Sequence, residues 1–194
     1  MTRDELEWPI EAGPLTLRPP REEDVDRILG WRNRPEVTRW LIRTVVDREE
    51  FRRMWLESVA DPDDHRLVAL LGDRIVGVGE LWRHDSMGQS HVEDGPWQKA
   101  EAGIGYLIDP AHAGRGYATA IGSALLELAF DGLGVHRVTA GCFADNHASV
   151  RVLEKIGMRR EQHGVGDSWH ADLGWIDGYT YALLASEWRA LSRR

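Results

Sequence analysis

The stretch Ala102-Gly-Ile-Gly-Tyr-Leu-Ile-Asp-Pro-Ala-His-Ala-Gly-Arg-Gly-Tyr-Ala-Thr-Ala120 joins an apolar run, a proline turn and two glycines to an amphipathic segment. The apolar run Ala102–Ile108 predicts a strand, and Thr119–Phe130 predicts a helix from its apolar spacing. Glycines between a strand and a helix start let the backbone approach an anion closely. The helix start adds unpaired N–H groups and the positive end of the helix dipole. The sequence therefore predicts a phosphate-binding loop over Gly114–Ala118.

The glycine spacing narrows the kind of phosphate. The loop is not G-x-x-x-x-G-K-[ST], and no lysine follows that would reach a γ-phosphate. It is not the G-x-G-x-x-G of a dinucleotide fold either, because no acidic residue about 20 positions on is placed to bind a ribose hydroxyl. The residues alone predict a pyrophosphate or a similar anion, and a structural glycine turn without a ligand is the alternative.

The rest of the chain predicts one α/β domain without internal repeats or a low-complexity linker. Asp47 with Glu50 resembles a capping box before an apolar helical stripe, and Asn146 is predicted to cap a helix that ends at Gly157. The remaining predicted elements are a strand at Leu15–Arg18, a helix at Arg21–Trp31, a hairpin of Leu67–Leu71 and Ile75–Leu81, a strand at Val135–Phe143, and closing strands at Met158–Val165 and Gly178–Leu184.

Four landmarks occur in an order that resembles a known superfamily. They are Trp31-Arg-Asn-Arg-Pro-Glu-Val-Thr-Arg-Trp40, Tyr106-Leu-Ile-Asp-Pro110 with His112-Ala-Gly-Arg-Gly-Tyr-Ala-Thr119, Asn146-His-Ala-Ser-Val-Arg-Val-Leu-Glu-Lys-Ile-Gly-Met158, and Tyr181-Ala-Leu-Leu-Ala-Ser-Glu-Trp188. The chain is similar, over roughly Leu15–Trp188, to the GNAT superfamily of N-acetyltransferases. Within it, the landmarks most resemble the RimJ/RimL-type branch, which contains the ribosomal-protein N-terminal acetyltransferases.

This resemblance implies an α/β fold with a mixed, mostly antiparallel central sheet flanked by helices. The strands Ala102–Ile108 and Val135–Phe143 would run parallel and splay apart to form the acyl-CoA cleft. Residues 1–194 would make a single domain with its core at about 15–188.

The resemblance also implies an acetyl-CoA-dependent N-acetyltransferase. The acceptor would be a primary amine, first of all the N-terminal α-amine of a protein or peptide, which would attack directly in a ternary complex. A small-molecule amine (antibiotic, amino sugar or polyamine) and a non-catalytic acyl-CoA-binding module are the alternatives. The implied cofactor-binding residues are Leu107, Ile108, Gly114, Arg115, Gly116, Tyr117, Ala118, Thr119, Asn146, Ser149 and Arg151.

Two positions depart from the superfamily pattern. Ala113 stands where an Arg or Gln is usual, and Gly103 stands where the branch often has a Glu. Transfer requires a neutral amine, which a carboxylate base provides. Glu101 is the first candidate base and Glu80 the second, each with a plain surface glutamate as the alternative. Ser149 is the candidate proton donor to the departing thiolate, with an ordinary helical serine as its alternative.

The acceptor is predicted to meet three segments: Trp31–Leu41 and two stretches interpreted as loops, Arg83–Lys99 and Gly166–Asp177. The latter is rich in tryptophan and acidic residues, which suits a cationic acceptor. Self-burial of its tryptophans is the alternative. The candidate substrate-binding residues are Trp31, Trp40, Trp82, Trp169, Asp172 and Trp175.

Composition excludes several other classes. The net charge of −8 without a basic stripe argues against nucleic acid. The start of the chain has no signal-peptide core, no apolar run suits a membrane span, and Cys142 alone forms no disulfide framework, so a cytoplasmic protein is expected. The eight histidines lack metal-ligand spacing, which predicts no metal. A homodimer is implied by the resemblance alone.

Overall fold

The eight strands of the protein form one mixed sheet in the order β1-β2-β3-β4-β5-β6-β8-β7. The structure is a computed structural model that describes residues 2–89 and 95–191. The pairs β1–β2, β2–β3, β3–β4, β6–β8 and β7–β8 are antiparallel, and the pair β5–β6 is parallel. The predicted mixed, mostly antiparallel sheet flanked by helices is therefore confirmed.

The strands are β1 (Ile10–Ala12), β2 (Leu15–Arg18), β3 (Leu67–Leu71), β4 (Arg74–His84), β5 (Glu101–Ile108), β6 (Arg137–Phe143), β7 (Arg159–His170) and β8 (Gly174–Leu184). The α-helices are α1 (Asp24–Arg32), α2 (Pro35–Thr38), α3 (Arg48–Ala60), α4 (Tyr117–Glu127), α5 (His147–Lys155) and α6 (Ala185–Leu191). Short 3₁₀ turns lie at Arg3–Glu5 and Pro110–His112, and a π-helical turn at Leu128–Gly132 continues α4.

The chain divides into two compact units. The first contains Met1–Glu80 and Gly105–Ala124, and the second contains Leu81–Ile104 and Leu125–Arg194. Each unit is described by itself below. The single domain expected over residues 1–194 stays a prediction.

The first unit is built on the antiparallel strands β1 to β4. Its core forms where α1 and α3 bury their apolar stripes, as helices of this spacing do. Trp55 of α3 is 2% exposed, and its indole N–H donates to the carbonyl of Arg21 at 2.8 Å. The buried cluster consists of Val25, Ile28, Trp31, Trp55, Val68, Ile75 and Val78.

Two glycines of β4 allow α4 to lie close to the sheet. A Cβ at Gly77 would stand 2.9 Å from Ile121 Cδ1, and one at Gly79 would stand 2.9 Å from Ile121 Cγ2. Ile121 itself is fully buried. Because a Cβ at either position would clash with Ile121, the two glycines allow this part of α4 to lie close to β4.

In the second unit, β5 and β6 pair in parallel over three residues only, from Glu101↔Arg137 to Gly103↔Thr139. Antiparallel pairing then joins β6 to β8 along the whole of β6. The strand β7 pairs with β8 and has two register shifts.

The predicted loop at Gly166–Asp177 is wrong, because these residues belong to a long β7–β8 hairpin. Trp169 pairs with Trp175 across it, with ring centroids 5.4 Å apart. The two indoles are 61% and 66% exposed, so the alternative of self-burial is wrong as well. Glycine, serine and aspartate have low strand propensity, so the local sequence did not predict strands here. The backbone hydrogen bonds between β7 and β8 stabilise the hairpin.

The expected loop at Arg83–Lys99 begins later than expected, because β4 continues to His84. Its two ends are joined by hydrogen bonds from Ser86 N to the carbonyl of Trp97 and from Lys99 N to Asp85 Oδ1, both 2.8 Å. Positions 90–94 lie outside the described residues.

Candidate active site

The predicted phosphate loop lies in the first unit, between the 3₁₀ turn and α4. Gly114 and Gly116 have φ angles of 75° and 82°, which side chains other than glycine rarely tolerate. A Cβ at either position would meet no atom within 4 Å. The glycines are therefore required by backbone conformation, and the space before them is open.

The backbone N–H groups of this loop are unpaired. His112 N and Ala113 N still donate, to the carbonyls of Asp109 and Pro110 at 2.8 and 3.2 Å. The next bond in the sequence is from Ala120 N to the carbonyl of Gly116 at 3.0 Å. Within the described residues, none of the six amides from Gly114 to Thr119 donates a hydrogen bond. Unpaired backbone donors at a helix start are suited to binding an anion, which agrees with the predicted phosphate-binding loop.

The residues before the loop hold it in place. Asp109 Oδ1 accepts from Ala111 N at 3.1 Å, and Asp109 N donates to the carbonyl of Val76 at 2.9 Å, which fastens the turn to β4. His112 is 7% exposed and stacks on the ring of Tyr117, with centroids 6.4 Å apart. Arg115 points from an exposed position of the loop.

A cavity of about 350 Å³ lies within the same unit. It is lined by Ile28, Trp31, Arg32, Leu41, Ile42, Arg43, Val46, Phe51, Met54, Trp55, Arg66, Val78, Glu80 and Leu107. Of the residues predicted for the site, the structure brings Trp31, Glu80 and Leu107 together here. Sequence reasoning missed Phe51 and Met54, whose helical stripe it assigned to packing.

The landmark that begins at Trp31 fixes the wall of this cavity. Arg32 is 7% exposed and donates to the carbonyls of Thr44 and Arg43. Asn33 Nδ2 donates to the carbonyl of Val46 at 2.7 Å, and Val46 N returns a bond to Asn33 Oδ1 at 3.3 Å. Burial lowers the pKa of the Arg32 guanidinium, but an arginine stays charged at neutral pH. The segment 41–46 is thus attached to the end of α1.

Glu80 is the carboxylate of the cavity. Its Oε1 lies 3.3 Å from Arg66 Nε, and the Arg66 guanidinium lies 5.4 Å from the ring centroid of Trp55. Arg66 Nε makes no hydrogen bond, so this contact is an ion pair only. No described residue donates a hydrogen bond to Glu80, and its side chain is 43% exposed, so a ligand can reach the carboxylate.

Glu101, the first candidate base, is engaged differently. In the second unit it accepts a short hydrogen bond from Arg137, its neighbour in the parallel pairing. Arg137 also binds Glu161, and these two carboxylates raise the pKa of Arg137 against the opposing effect of its burial. The Glu101 side chain is 17% exposed, and its ion pair with Arg137 joins β5 to β6. Its role as a base stays a prediction.

The predicted cap of α5 is present in the second unit. Asn146 Oδ1 accepts from Ser149 N at 3.2 Å. The Ser149 side chain is hydrogen-bonded to the half-buried thiol of Cys142, whose pKa is raised by burial and to a lesser degree lowered by this bond. Arg151 is exposed. Two of the candidate cofactor residues, Asn146 and Ser149, thus lie in one turn of helix.

The other candidate acceptor residues are not among the residues that line the cavity. Trp40 is stacked by the Arg39 guanidinium at 5.0 Å. Trp169 and Trp175 form the exposed pair of the β7–β8 hairpin, and Asp172 lies in its turn. Trp82 is 52% exposed and covers Gly103. Their role as acceptor residues stays a prediction.

Residues 2–89 and 95–191 contain no group of three or more histidine, cysteine, aspartate or glutamate residues placed to hold a metal ion. None of their helices has the length and apolar character needed to cross a membrane.

A mixed sheet that leads through a glycine loop into a helix with six unpaired amides defines a class of proteins that bind a phosphorylated cofactor. Comparison with known sequences names the family. The Acetyltransferase (GNAT) domain matches residues 14–159. The chain belongs to the GNAT acetyltransferase family, so the superfamily predicted from the sequence is confirmed.

Individual relatives agree with this assignment. The chain is 39% identical over 90 residues to the uncharacterized N-acetyltransferase YnaD of Bacillus subtilis, covering 44% of this chain and about half (49%) of that protein. It is 29% identical to the L-amino acid N-acetyltransferase AaaT of Escherichia coli, over 68% of this chain and 75% of that one. A GNAT-family acetyltransferase structure from Bacillus anthracis superposes with a TM-score of 0.76 at 26% identity, covering 93% of this chain and all of that one.

Proposed function

We propose that this protein transfers the acetyl group of acetyl-CoA to a primary amine by direct attack in a ternary complex. The observation that carries the proposal is the row of six unpaired amides from Gly114 to Thr119, with open space before Gly114 and Gly116. Members of the GNAT family use acetyl-CoA, and a pyrophosphate fits this row of donors. The side chain of Arg115 adds a positive charge at the same loop.

The resemblance to the superfamily supplies further cofactor contacts. The proposal keeps Leu107 and Ile108, at the end of β5, as backbone partners of the pantetheine arm. It keeps Asn146, Ser149 and Arg151 as contacts from α5. Acetyl-CoA supplies an acetyl group already activated as a thioester.

The acceptor must reach that thioester as a neutral amine, because an ammonium has no lone pair. We assign the base to Glu80, whose oxygens accept no hydrogen bond from the described residues and face the cavity of the first unit. Glu101 becomes a positioning residue, since Arg137 occupies its carboxylate. The amine nitrogen forms the new amide bond, its proton goes to Glu80, and the thiolate that leaves takes a proton from Ser149.

Two acceptors remain within the proposal. The RimJ/RimL-like landmarks support the N-terminal α-amine of a protein or peptide. The volume of the cavity, about 350 Å³, supports a small amine, and the similarity to an L-amino acid N-acetyltransferase supports an α-amine in particular. A free amino acid and a peptide N-terminus both carry their amine on the α-carbon, which is itself bonded to the carbonyl carbon.

The first test is a thermal-shift titration with acetyl-CoA, CoA, succinyl-CoA and ATP. A ligand at 100 times its dissociation constant adds about 2.7 kcal/mol to the free energy of unfolding. We expect a shift with acetyl-CoA and none with ATP. A purely structural glycine turn would give no shift with any CoA thioester.

A pair of variants separates loop chemistry from backbone strain. Gly116→Ala and Gly72→Ala both place a Cβ at a positive φ with open space around it. Both should lower the melting temperature, whereas only Gly116→Ala should weaken acetyl-CoA binding. Release of free thiol with a panel of amines then separates an enzyme from a non-catalytic acyl-CoA-binding module.

A further inference from the structure

The cavity of the first unit has an uneven chemical character. Ten of its fourteen lining residues are apolar, and they include the aromatic rings of Trp31, Phe51 and Trp55. Pockets of this kind bind the apolar body of a ligand, while a few polar groups fix its orientation. Met54 adds a flexible side chain that adapts to the shape of a ligand.

The arginines of the lining already have partners within the first unit. The guanidinium of Arg32 donates hydrogen bonds to the carbonyls of Arg43 and Thr44. Arg43 Nη1 contacts Glu50 Oε1 at 3.3 Å and Met54 Sδ at 2.6 Å. Glu80, which pairs with Arg66, is the single carboxylate among the lining residues. The cavity therefore suits one amine, and a polyamine would find no second carboxylate in the lining.

The rim carries a further apolar group. Ile42 lines the cavity although its side chain is 92% exposed. It belongs to the segment 41–46 that Arg32 and Asn33 attach to α1. An exposed isoleucine on a fixed rim gains burial when a ligand with an apolar body enters.

These observations point to the acceptor, and the inference rests on the proposed function. We propose that the acceptor is an α-amine whose own carbon carries a bulky apolar or aromatic side chain. The side chain occupies the cavity among Trp31, Phe51 and Met54, and the amine meets Glu80. A free amino acid and the first residue of a peptide share this chemistry.

The experiment measures kcat/KM by thiol release from acetyl-CoA for paired acceptors. Free phenylalanine, leucine, alanine and glycine give the side-chain preference, and spermidine serves as the polycation. The dipeptides Phe-Gly and Gly-Phe distinguish a peptide N-terminus from a free amino acid. We expect phenylalanine or leucine to exceed alanine by about 10–200-fold, the range that a hydrophobic pocket achieves.

A matched pair of variants assigns the preference to this cavity. Met54→Trp fills the cavity and should remove most of the preference for phenylalanine over alanine. Val45→Trp introduces the same ring in the same unit at a 66% exposed position outside the lining, and should leave the preference unchanged. Both variants should keep their acetyl-CoA thermal shift, which also shows that they fold.

A higher kcat/KM for glycine, alanine or spermidine than for phenylalanine would overturn the inference while sustaining the acetyltransferase. An unchanged preference in Met54→Trp would do the same. If no amine is acetylated, the proposed function fails instead. Calorimetry with N-acetylphenylalanine and N-acetylalanine in the presence of CoA then tests the cavity directly, and equal affinities would overturn the inference.

Discussion

The indole of Trp82 lies directly on the backbone of Gly103. A Cβ built at Gly103 would stand 2.2 Å from Cζ2 of Trp82. An aromatic ring therefore occupies the space that any side chain at position 103 would need, and a carboxylate at this position would require Trp82 to move.

The contact predicts a coupled pair of substitutions. Gly103→Ala forces the Trp82 ring from its place and should lower the free energy of unfolding by about 1–3 kcal/mol, as overpacking does. In a Trp82→Ala background the same change should be nearly neutral, because the space is then free. A double-mutant cycle by urea unfolding measures the difference. Additive effects would show that the two residues do not compete for space.

Glu80 and Glu101 should respond differently to loss of charge. Glu80→Gln removes the proposed base and should reduce kcat by about 10²–10⁴ without a large change in stability. Glu101→Gln should chiefly lower stability, because it leaves Arg137 with one carboxylate partner fewer. Steady-state kinetics gives kcat for both variants, and urea unfolding gives their free energies of unfolding. The opposite pattern would return the base to Glu101.

Cys142 should be a slow nucleophile that the reaction does not need. Burial raises the pKa of its thiol above the usual 9.0, so alkylation by iodoacetamide should be slow at pH 7–8 and accelerate at higher pH. Cys142→Ala should retain turnover, because the amine attacks the thioester directly. Cys142→Ser keeps a hydrogen-bonding group beside Ser149 and serves as the matched control. Loss of turnover in Cys142→Ala alone would indicate an acyl-cysteine route.

The glycines under α4 should resist substitution. Gly79→Ala places a Cβ 2.6 Å from Leu67 Cδ1 and 2.9 Å from Ile121 Cγ2, and should destabilise the protein by about 1–3 kcal/mol. Gly30→Ala in α1 meets no atom within 4 Å and should stabilise it by about 0.5–1 kcal/mol, through helix propensity. Thermal unfolding distinguishes the two signs. Equal effects would mean that α4 does not lie closely on β4.

The pair of His163 and Asp177 predicts a pH effect in the second unit. The hydrogen bond from His163 at 2.6 Å, followed by one from Gly166 N, holds the pKa of Asp177 below its usual 3.8. A carboxylate with a lowered folded pKa contributes stability above its unfolded pKa and loses it as the pH falls through the folded value. The native chain should therefore lose stability below about pH 4 more steeply than Asp177→Asn. Asp172→Asn, in the nearby turn, should follow the native curve in urea unfolding between pH 2 and 6.

The features predicted correctly from the sequence are those that depend on residues close together in the chain. The strand, glycine loop and helix around Gly114 are contiguous, so their order alone indicated an anion site. The β3–β4 hairpin and the cap at Asn146 follow from turn and capping residues that lie next to the elements they bound. At Asp47 only half of the predicted capping box forms, because Glu50 turns to Arg43 instead of returning to the cap.

The remainder depends on contacts between distant residues. The cavity gathers side chains from α1, α3 and β4, and no local pattern marks them as neighbours. Glu101 meets Arg137 through a parallel pairing 36 positions away, so no local pattern indicated an ion-pair partner for this candidate base. The part of the β7–β8 hairpin between the two predicted closing strands was missed for the same reason, since its ladder outweighs the poor strand propensity of glycine and aspartate.

The ion pairs around β6 make the stability of the second unit depend on ionic strength and temperature. Glu101, Arg137, Glu161, Arg159 and Glu187 form a continuous chain of alternating charge in the second unit. Added sodium chloride screens such charges, with a Debye length of about 10 Å at 0.1 M, while heating lowers the penalty for removing them from water. The stability that this chain of charges gives to the second unit should therefore fall as sodium chloride is added, and a larger share of it should remain at high temperature in dilute buffer.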